Sequence, residues 1–214
     1  MLFGFIISLV MPTVTHAGAT YSPGNYFGKS VQLLNFNTSL VEPNLPDYVN
    51  YCGPASSRVL ISAWTKNVPS LDTLAAQEKT DPVSGTRAVN MVGPINRAIG
   101  NNYYRVTHAQ TQGALSNLIG GSIAVHHRPL IVGLKTQPPS SHVPSLDGWT
   151  HSVSHFVMVY GFDFRSADTG YIYYFEIGSR LSAGTATAGK KKINYRDFWT
   201  LASMYDVQLT GPSS

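Results

Sequence analysis

The chain has 214 residues, of which 43% are hydrophobic and 11% aromatic. That is enough to bury a core, and it excludes an intrinsically disordered protein. Only 12% of residues are charged, and the net charge of +4 comes from 15 basic against 11 acidic side chains. So few charges of either sign give no strong electrostatic footprint for nucleic acid or an anionic membrane.

The segment from Leu2 to Met11 is continuously apolar and is followed by small residues ending in Thr15-His16-Ala17-Gly18. This reads as the core of a secretory signal with cleavage after Ala17. It falls short of the ~20 residues that span a bilayer. The competing reading is a buried N-terminal strand. On the signal reading, residues 18–214 form one secreted domain without a membrane anchor.

Residues 18 to 50 are rich in Tyr, Asn, Pro and Ser and read mostly as loop, with a short strand near Val31–Phe36. A helix is expected from Gly53-Pro54, since proline suits a first helical turn. Ala55, Val59, Ala63 and Ser56, Leu60, Trp64 then give a stripe at i, i+4 spacing. Ser70 caps a second helix to Lys79, and Asp81–Gly85 is a turn cluster. Thr86 is placed to cap a third helix, Arg87–Ile99, kinked or split at Pro94. A fourth covers Thr111–Ile123. The helical lobe thus occupies about 50–125.

The hydrophobic period then changes. Pro129–Leu134, His155–Phe162 and Tyr171–Ile177 read as buried strands, separated by a long Pro/Ser/His loop and a shorter connection. Lys190-Lys191-Lys192 reads as a solvated loop. Tyr195–Ala202 is a short helix and Tyr205–Leu209 a closing strand. Helices first and strands later, about 128–210, predict an α+β fold with a largely antiparallel sheet.

Cys52 is the only cysteine. A lone thiol in a secreted chain is a free thiol, half of an intermolecular bridge or a nucleophile. Its place directly before the Gly53-Pro54 helix start puts the sulfur at the positive end of a helix dipole, among unpaired N–H groups. Both favour a thiolate. The same N–H groups can hold an oxyanion formed in acyl transfer. A cysteine nucleophile also needs a base. Of the seven histidines, His155 alone starts a strongly apolar strand and is thereby held on a rigid element. Glu176 is the one acid in the next strand. It either orients the imidazole or is an exposed edge residue.

Asn50-Tyr51-Cys52-Gly53-Pro54-Ala55-Ser56, then His155–Asp163, then Tyr171–Glu176 follow the order and spacing of papain-like cysteine peptidases. The chain most resembles the bacteriocin-leader (double-glycine) peptidase group and its secreted bacterial relatives. The strand Arg128–Gly133 resembles the one that precedes the histidine in that group. The resemblance implies a papain-like fold, a peptide or protein substrate and no metal or cofactor. It assigns Cys52 as nucleophile, His155 as general base and acid, and Glu176 to the place usually held by Asp. The usual upstream Gln is missing. Asn44 sits at the spacing some relatives use for it, and Asn50 is the other candidate for the oxyanion hole.

Three other classes compete. His151 and His155 have the i, i+4 spacing of a zinc hydrolase, but no Glu follows His151 and Ser-Val-Ser is a poor helix former. A catalytically inactive papain-like module would use its aromatic loops to bind peptide or glycan. A thiol amidase, transglutaminase or peptidoglycan-stem endopeptidase would share the triad and differ only in substrate or acceptor.

Overall fold

The computed structural model describes residues 26–166, 169–178, 188–205 and 207–210. Residues 1–17, read above as a signal, lie outside them. Helix α1 runs Cys52–Ser62, one residue earlier than the Gly-Pro pair indicated. Its stripe residues Ala55, Val59 and Leu60 are fully buried. Helix α2 is Leu71–Gln77, and Ser70 caps it by accepting the Thr73 N–H at 3.1 Å.

Helix α3 is Ala88–Ile99 and keeps Pro94 inside it as one element. Its N-cap is Arg87, not Thr86. The Thr86 hydroxyl is turned inward and bonds Thr80 Oγ1 at 2.7 Å, so it is not available to cap α3. Helix α4, Gln112–Gly120, is capped by Thr111 and passes into a wider turn at Gly121–Val125. Helix α5 is Tyr195–Ser203.

The strands are β1 Lys29–Gln32, β2 Arg105–Thr107, β3 Leu130–Lys135, β4 Ser154–Phe164, β5 Gly170–Glu176, β6 Gly189–Asn194 and β7 Val207–Thr210. They form one sheet in the order β2-β7-β3-β4-β5-β6, and every pairing is antiparallel. The long strand β4 pairs along its first half with β3 and along its second half with β1. Two strands were not foreseen. β2 is short and lies within a polar stretch, and β6 contains the three lysines expected as a loop. Lys190 lies over the Phe36 and Tyr160 rings, Lys191 Nζ bonds Asp147 Oδ2 at 2.6 Å, and Lys192 lies over Tyr171. Two of the ammonium groups thus rest on aromatic rings and the third on a carboxylate, which satisfies the charges of a run that pairs as a strand.

The sheet is covered on both faces. Phe156 and Met158 point to α1, α2 and α3 with Met91 and Ile95, while Val157 and Val159 point to the side of α4 and α5 with Leu115 and Phe198. Strands buried on both faces read as continuous apolar runs, the pattern seen in β3 and β4. Among the described residues, no helix is long and apolar enough to cross a membrane.

Candidate active site

Cys52 is the first residue of α1, and its own N–H is at the open end of that helix. Two features hold the turn before it. Tyr51 N–H donates to Glu42 Oε1 at 3.1 Å, and the carbonyl of Tyr51 accepts from Ala55 N–H. Gly53 is needed for packing. A Cβ there would come within 2.5 Å of Thr86 Cβ, so only glycine lets the Thr86 wall close against the first turn.

Helix and sheet are stitched one turn further on. Ser56 Oγ donates to the Phe156 carbonyl at 3.2 Å. Ser56 lies a turn beyond Cys52 and Phe156 directly follows His155, so this buried bond fixes the helix bearing the thiol against the strand bearing the imidazole. Ser56 was counted only as part of an apolar stripe. Its full burial, which a sequence does not show, is the signal that its hydroxyl has a partner.

His155 is the second residue of β4 and Glu176 the last of β5. The β4–β5 register puts Met158 opposite Phe175. Side chains alternate along a strand, so His155 and Glu176 emerge on one face, the face of Val157 and Tyr174. There His155 Nε2 bonds Glu176 Oε1 at 2.8 Å. Glu176 is fully buried, so the edge-residue reading does not hold. Its carboxylate takes two further donors, Gly178 N–H at 2.8 Å on Oε1 and Trp149 Nε1–H at 3.0 Å on Oε2. Burial works against its charge, but the His155 cation and these donors outweigh burial and hold the carboxyl below its ordinary value.

Cys52 lies close enough to His155 to act on the imidazole as well. Burial alone would depress the imidazole. The Glu176 charge, the bond to Cys52 and the bond to Glu176 together push it up to about 10, so His155 is a cation at neutral pH. Trp149, buried in the loop before β4, lies over the pair with its ring centroid 4.3 Å from that of His155. The indole thus keeps water off the ion pair and adds a donor to it. Trp149 lies in the long Pro/Ser/His loop, among the aromatic loop residues that the sequence offers for binding. Nothing in its local sequence separates it from them, because its partners lie on two other elements.

These groups open into a cleft of about 250 Å³. Its lining brings Cys52 and His155 together with Asn50, Thr86, Trp149 and His151. Asn50 lines this cleft, and its Nδ2 donates to the Pro82 carbonyl at 2.7 Å. Asn44 is not among the lining residues. His151 is in the loop and His155 on β4, so residues 151–155 form no helical turn to align two ligands. Among the described residues, no group of three or more His, Cys, Asp or Glu could hold a metal ion.

A family model described as the peptidase C39-like family matches residues 29–203. No curated protein matches the sequence. Among solved structures, the chain is similar to the bromelain protease from Ananas comosus in complex with the E64 inhibitor. That likeness has a TM-score of 0.52 at 11% identity and covers 86% of this chain and 99% of that one. It is also similar to a recombinant stem bromelain precursor, with a TM-score of 0.50 at 11% identity over 84% of this chain and 70% of the other. At that identity the likeness establishes the fold, a papain-like α+β architecture.

Proposed function

The chain belongs to the peptidase C39-like family, and from that premise we propose that it is a secreted thiol hydrolase, a peptidase or amidase, acting through Cys52, His155 and Glu176. The observation that supports the reading is the buried Glu176–His155 pair with Cys52 close enough to act on the imidazole, Cys52 and His155 both lining one cleft. Burying an ion pair is costly, and a stabilising role alone is a weak reason for one. A nucleophile that must be deprotonated near neutral pH is a sufficient reason.

The chemistry is acyl transfer. The Cys52 thiolate attacks the carbonyl carbon of the scissile amide, and the oxyanion accepts from the Cys52 N–H at the start of α1. We assign the second donor to Asn50, the asparagine that lines the cleft, whose amide exchanges its bond to Pro82 for one to the oxyanion. His155 gives its proton to the leaving nitrogen as the C–N bond breaks, leaving a thioester on Cys52. A water molecule then transfers a proton to His155 and its oxygen to the acyl carbon, which regenerates the thiolate–imidazolium pair. Glu176 keeps the imidazole in register and charge-balanced throughout. Secretion is supported by the apolar run Leu2–Met11 and the small residues before Gly18.

The test is alkylation of the purified protein by iodoacetamide at pH 6, together with hydrolysis of a mixed peptide library. Fast, single-site alkylation at Cys52 and hydrolysis that Cys52→Ala abolishes, with thermal unfolding nearly unchanged, are the expected results. A thiol no more reactive than free cysteine at that pH, or hydrolysis that survives in Cys52→Ala, would rule this function out.

A further inference from the structure

A hollow of about 440 Å³ opens at the far end of α1, where the turn after α4 leads into β3. Its lining includes Ala63, the C-cap of α1, with Gln32, Leu34, Asn35, His127 and Arg128. It shares no residue with the cleft. Helix α1 has 11 residues, which at ~1.5 Å each puts the hollow roughly 16 Å from the Cys52 end.

Arg128 is fixed there by its backbone and by its side chain. Its N–H donates to the Ser122 carbonyl at 2.9 Å, and its carbonyl accepts from Ser122 Oγ at 3.0 Å. Its guanidinium lies over the Trp64 ring, 3.6 Å from the centroid. The indole is held in turn. Trp64 Nε1–H donates to Tyr104 Oη at 3.0 Å, and the buried Tyr104 donates to the Pro129 carbonyl at 2.8 Å. A stacked guanidinium keeps its N–H donors at its edge. Among the described residues, no carboxylate pairs with Arg128 and no acceptor takes a hydrogen bond from its guanidinium. The residue before it, His127, adopts φ 54°, a left-handed conformation that few residues other than glycine enter.

None of the lining residues is acidic. The side-chain amides of Gln32 and Asn35 have no hydrogen-bond partner among the described residues. Leu34 is 63% exposed at the same hollow. A fixed cation with open donors, two spare amides and an uncovered leucine are complementary to an anion that carries an apolar body.

We propose that this hollow binds a small organic carboxylate with a branched apolar group. The carboxylate takes two parallel N–H bonds from the Arg128 guanidinium, and the apolar group rests on Leu34 and Ala63. Stacking on Trp64 sets the guanidinium in advance, so little freedom is lost on binding. The negative end of the α1 dipole lies beside the same guanidinium and competes with the ligand for it, which places the affinity in the millimolar range. The site stands whether or not the chain is a hydrolase.

The experiment titrates N-acetylleucine into the protein and follows the NMR signals of the Arg128 Nε–H and the Trp64 indole N–H. It is repeated with N-acetylleucinamide, which lacks the charge, and with acetate and inorganic phosphate, which lack the apolar body. Saturable shifts at millimolar N-acetylleucine are expected, with binding about tenfold weaker or worse for each of the other three. Arg128→Gln should weaken binding about tenfold or more, and Arg128→Lys, which keeps the charge without the fork, nearly as much. Leu34→Ser, at an exposed position, should weaken it severalfold. The peptide acetyl-Ala-Ala-Leu, added to Cys52→Ala so that it stays intact, separates two sources of such a carboxylate. Tighter binding than N-acetylleucine identifies a peptide C-terminus, and equal or weaker binding a free acid. Wild type without saturable shifts overturns the proposal. So does N-acetylleucinamide binding as tightly as the acid, since the charge would then play no part. Acetate or phosphate binding as tightly would leave an adventitious ion only and overturns it too, as does a folded Arg128→Gln with wild-type affinity. Should Arg128→Gln fail to fold, Arg128→Lys and Leu34→Ser decide. Alkylation and hydrolysis at Cys52 are read separately, so failure here leaves the functional reading standing.

Discussion

Trp149 Nε1–H donates to Glu176 Oε2 at 3.0 Å, while the same indole packs, tilted, against the imidazole that Glu176 bonds. One side chain thereby supplies both a hydrogen bond to the buried acid and the cover that keeps water from its ion pair. Trp149→Phe separates the two roles, because it keeps an aromatic cover and removes the donor. Leaving a buried carboxylate oxygen unpartnered costs ~1–3 kcal/mol, so thermal stability should fall by about that amount. The carboxyl of Glu176 should also rise towards its ordinary value. As pH falls it would take up its proton earlier, and the acid limb of the pH–rate profile should move to higher pH. A profile that superimposes on wild type would remove Trp149 from the relay.

Glu176→Gln tests the coupling from the other end. His155 holds its proton up to about 10, against an ordinary 6.5. Its share of stability is therefore full below pH 6.5 and is lost as pH rises through 10. Glu176 is held below its ordinary 4.5, so its share is present above pH 4.5 and is lost as pH falls through the lowered value. Between those limits the ion pair is intact. Replacing Glu176 by the neutral amide leaves burial as the largest influence on the imidazole. The His155 titration should fall by at least 1–3 units, the range of about one opposite charge at contact. NMR titration of the His155 ring, run beside the alkaline limb of kcat/KM, measures both. A limb that stays in place would show that Glu176 does not set the charge of His155.

Glu78 lies outside the site and has the opposite sign. It follows α2, is fully buried, and among the described residues neither of its oxygens meets hydrogen-bond geometry with a partner; the same holds for the Ser57 hydroxyl that faces it from α1. Burial pushes its carboxyl up to about 8 from an ordinary 4.5, and the proximity of Ser57 offsets only a little of this. At pH 7 the folded protein keeps a proton that the unfolded chain has released. That costs ~1.4 kcal/mol for each unit above 4.5, on the order of 3 kcal/mol in all. Glu78→Gln should remove this penalty. It should leave stability unchanged near pH 4 and raise it progressively from pH 5 to pH 8. Denaturant melts at pH 4 and pH 7 that show the same difference between variant and wild type would refute the assignment.

Much of the site can be read in the chain itself, because its signals are local. A proline two residues after Cys52 and apolar residues at i, i+4 spacing start a helix whatever surrounds it, so the thiol's place at a helix end follows from the segment alone. An unbroken apolar run such as Phe156–Tyr160 must be covered on both faces, which makes a histidine at its start stand out. Thr86 misled because a hydroxyl ahead of a helix is a cap by local rules, and a tertiary bond to Thr80 took it instead. The lysine run of β6 misled for a similar reason. Its charges are local, while the rings that its ammonium groups meet come from Phe36, Tyr160 and Tyr171.

The residue pattern by itself determined that the cysteine starts a helix and that the histidine starts a buried strand, but not that 105–107 and 189–194 would be strands. Only the tertiary structure decided that Glu176 points inward, that Trp149 covers it and that Ser56 ties helix to sheet. Each of those depends on atoms brought together from distant parts of the chain. Backbone periodicity fixes the face a side chain leaves by, whereas sheet register and helix packing fix what it meets.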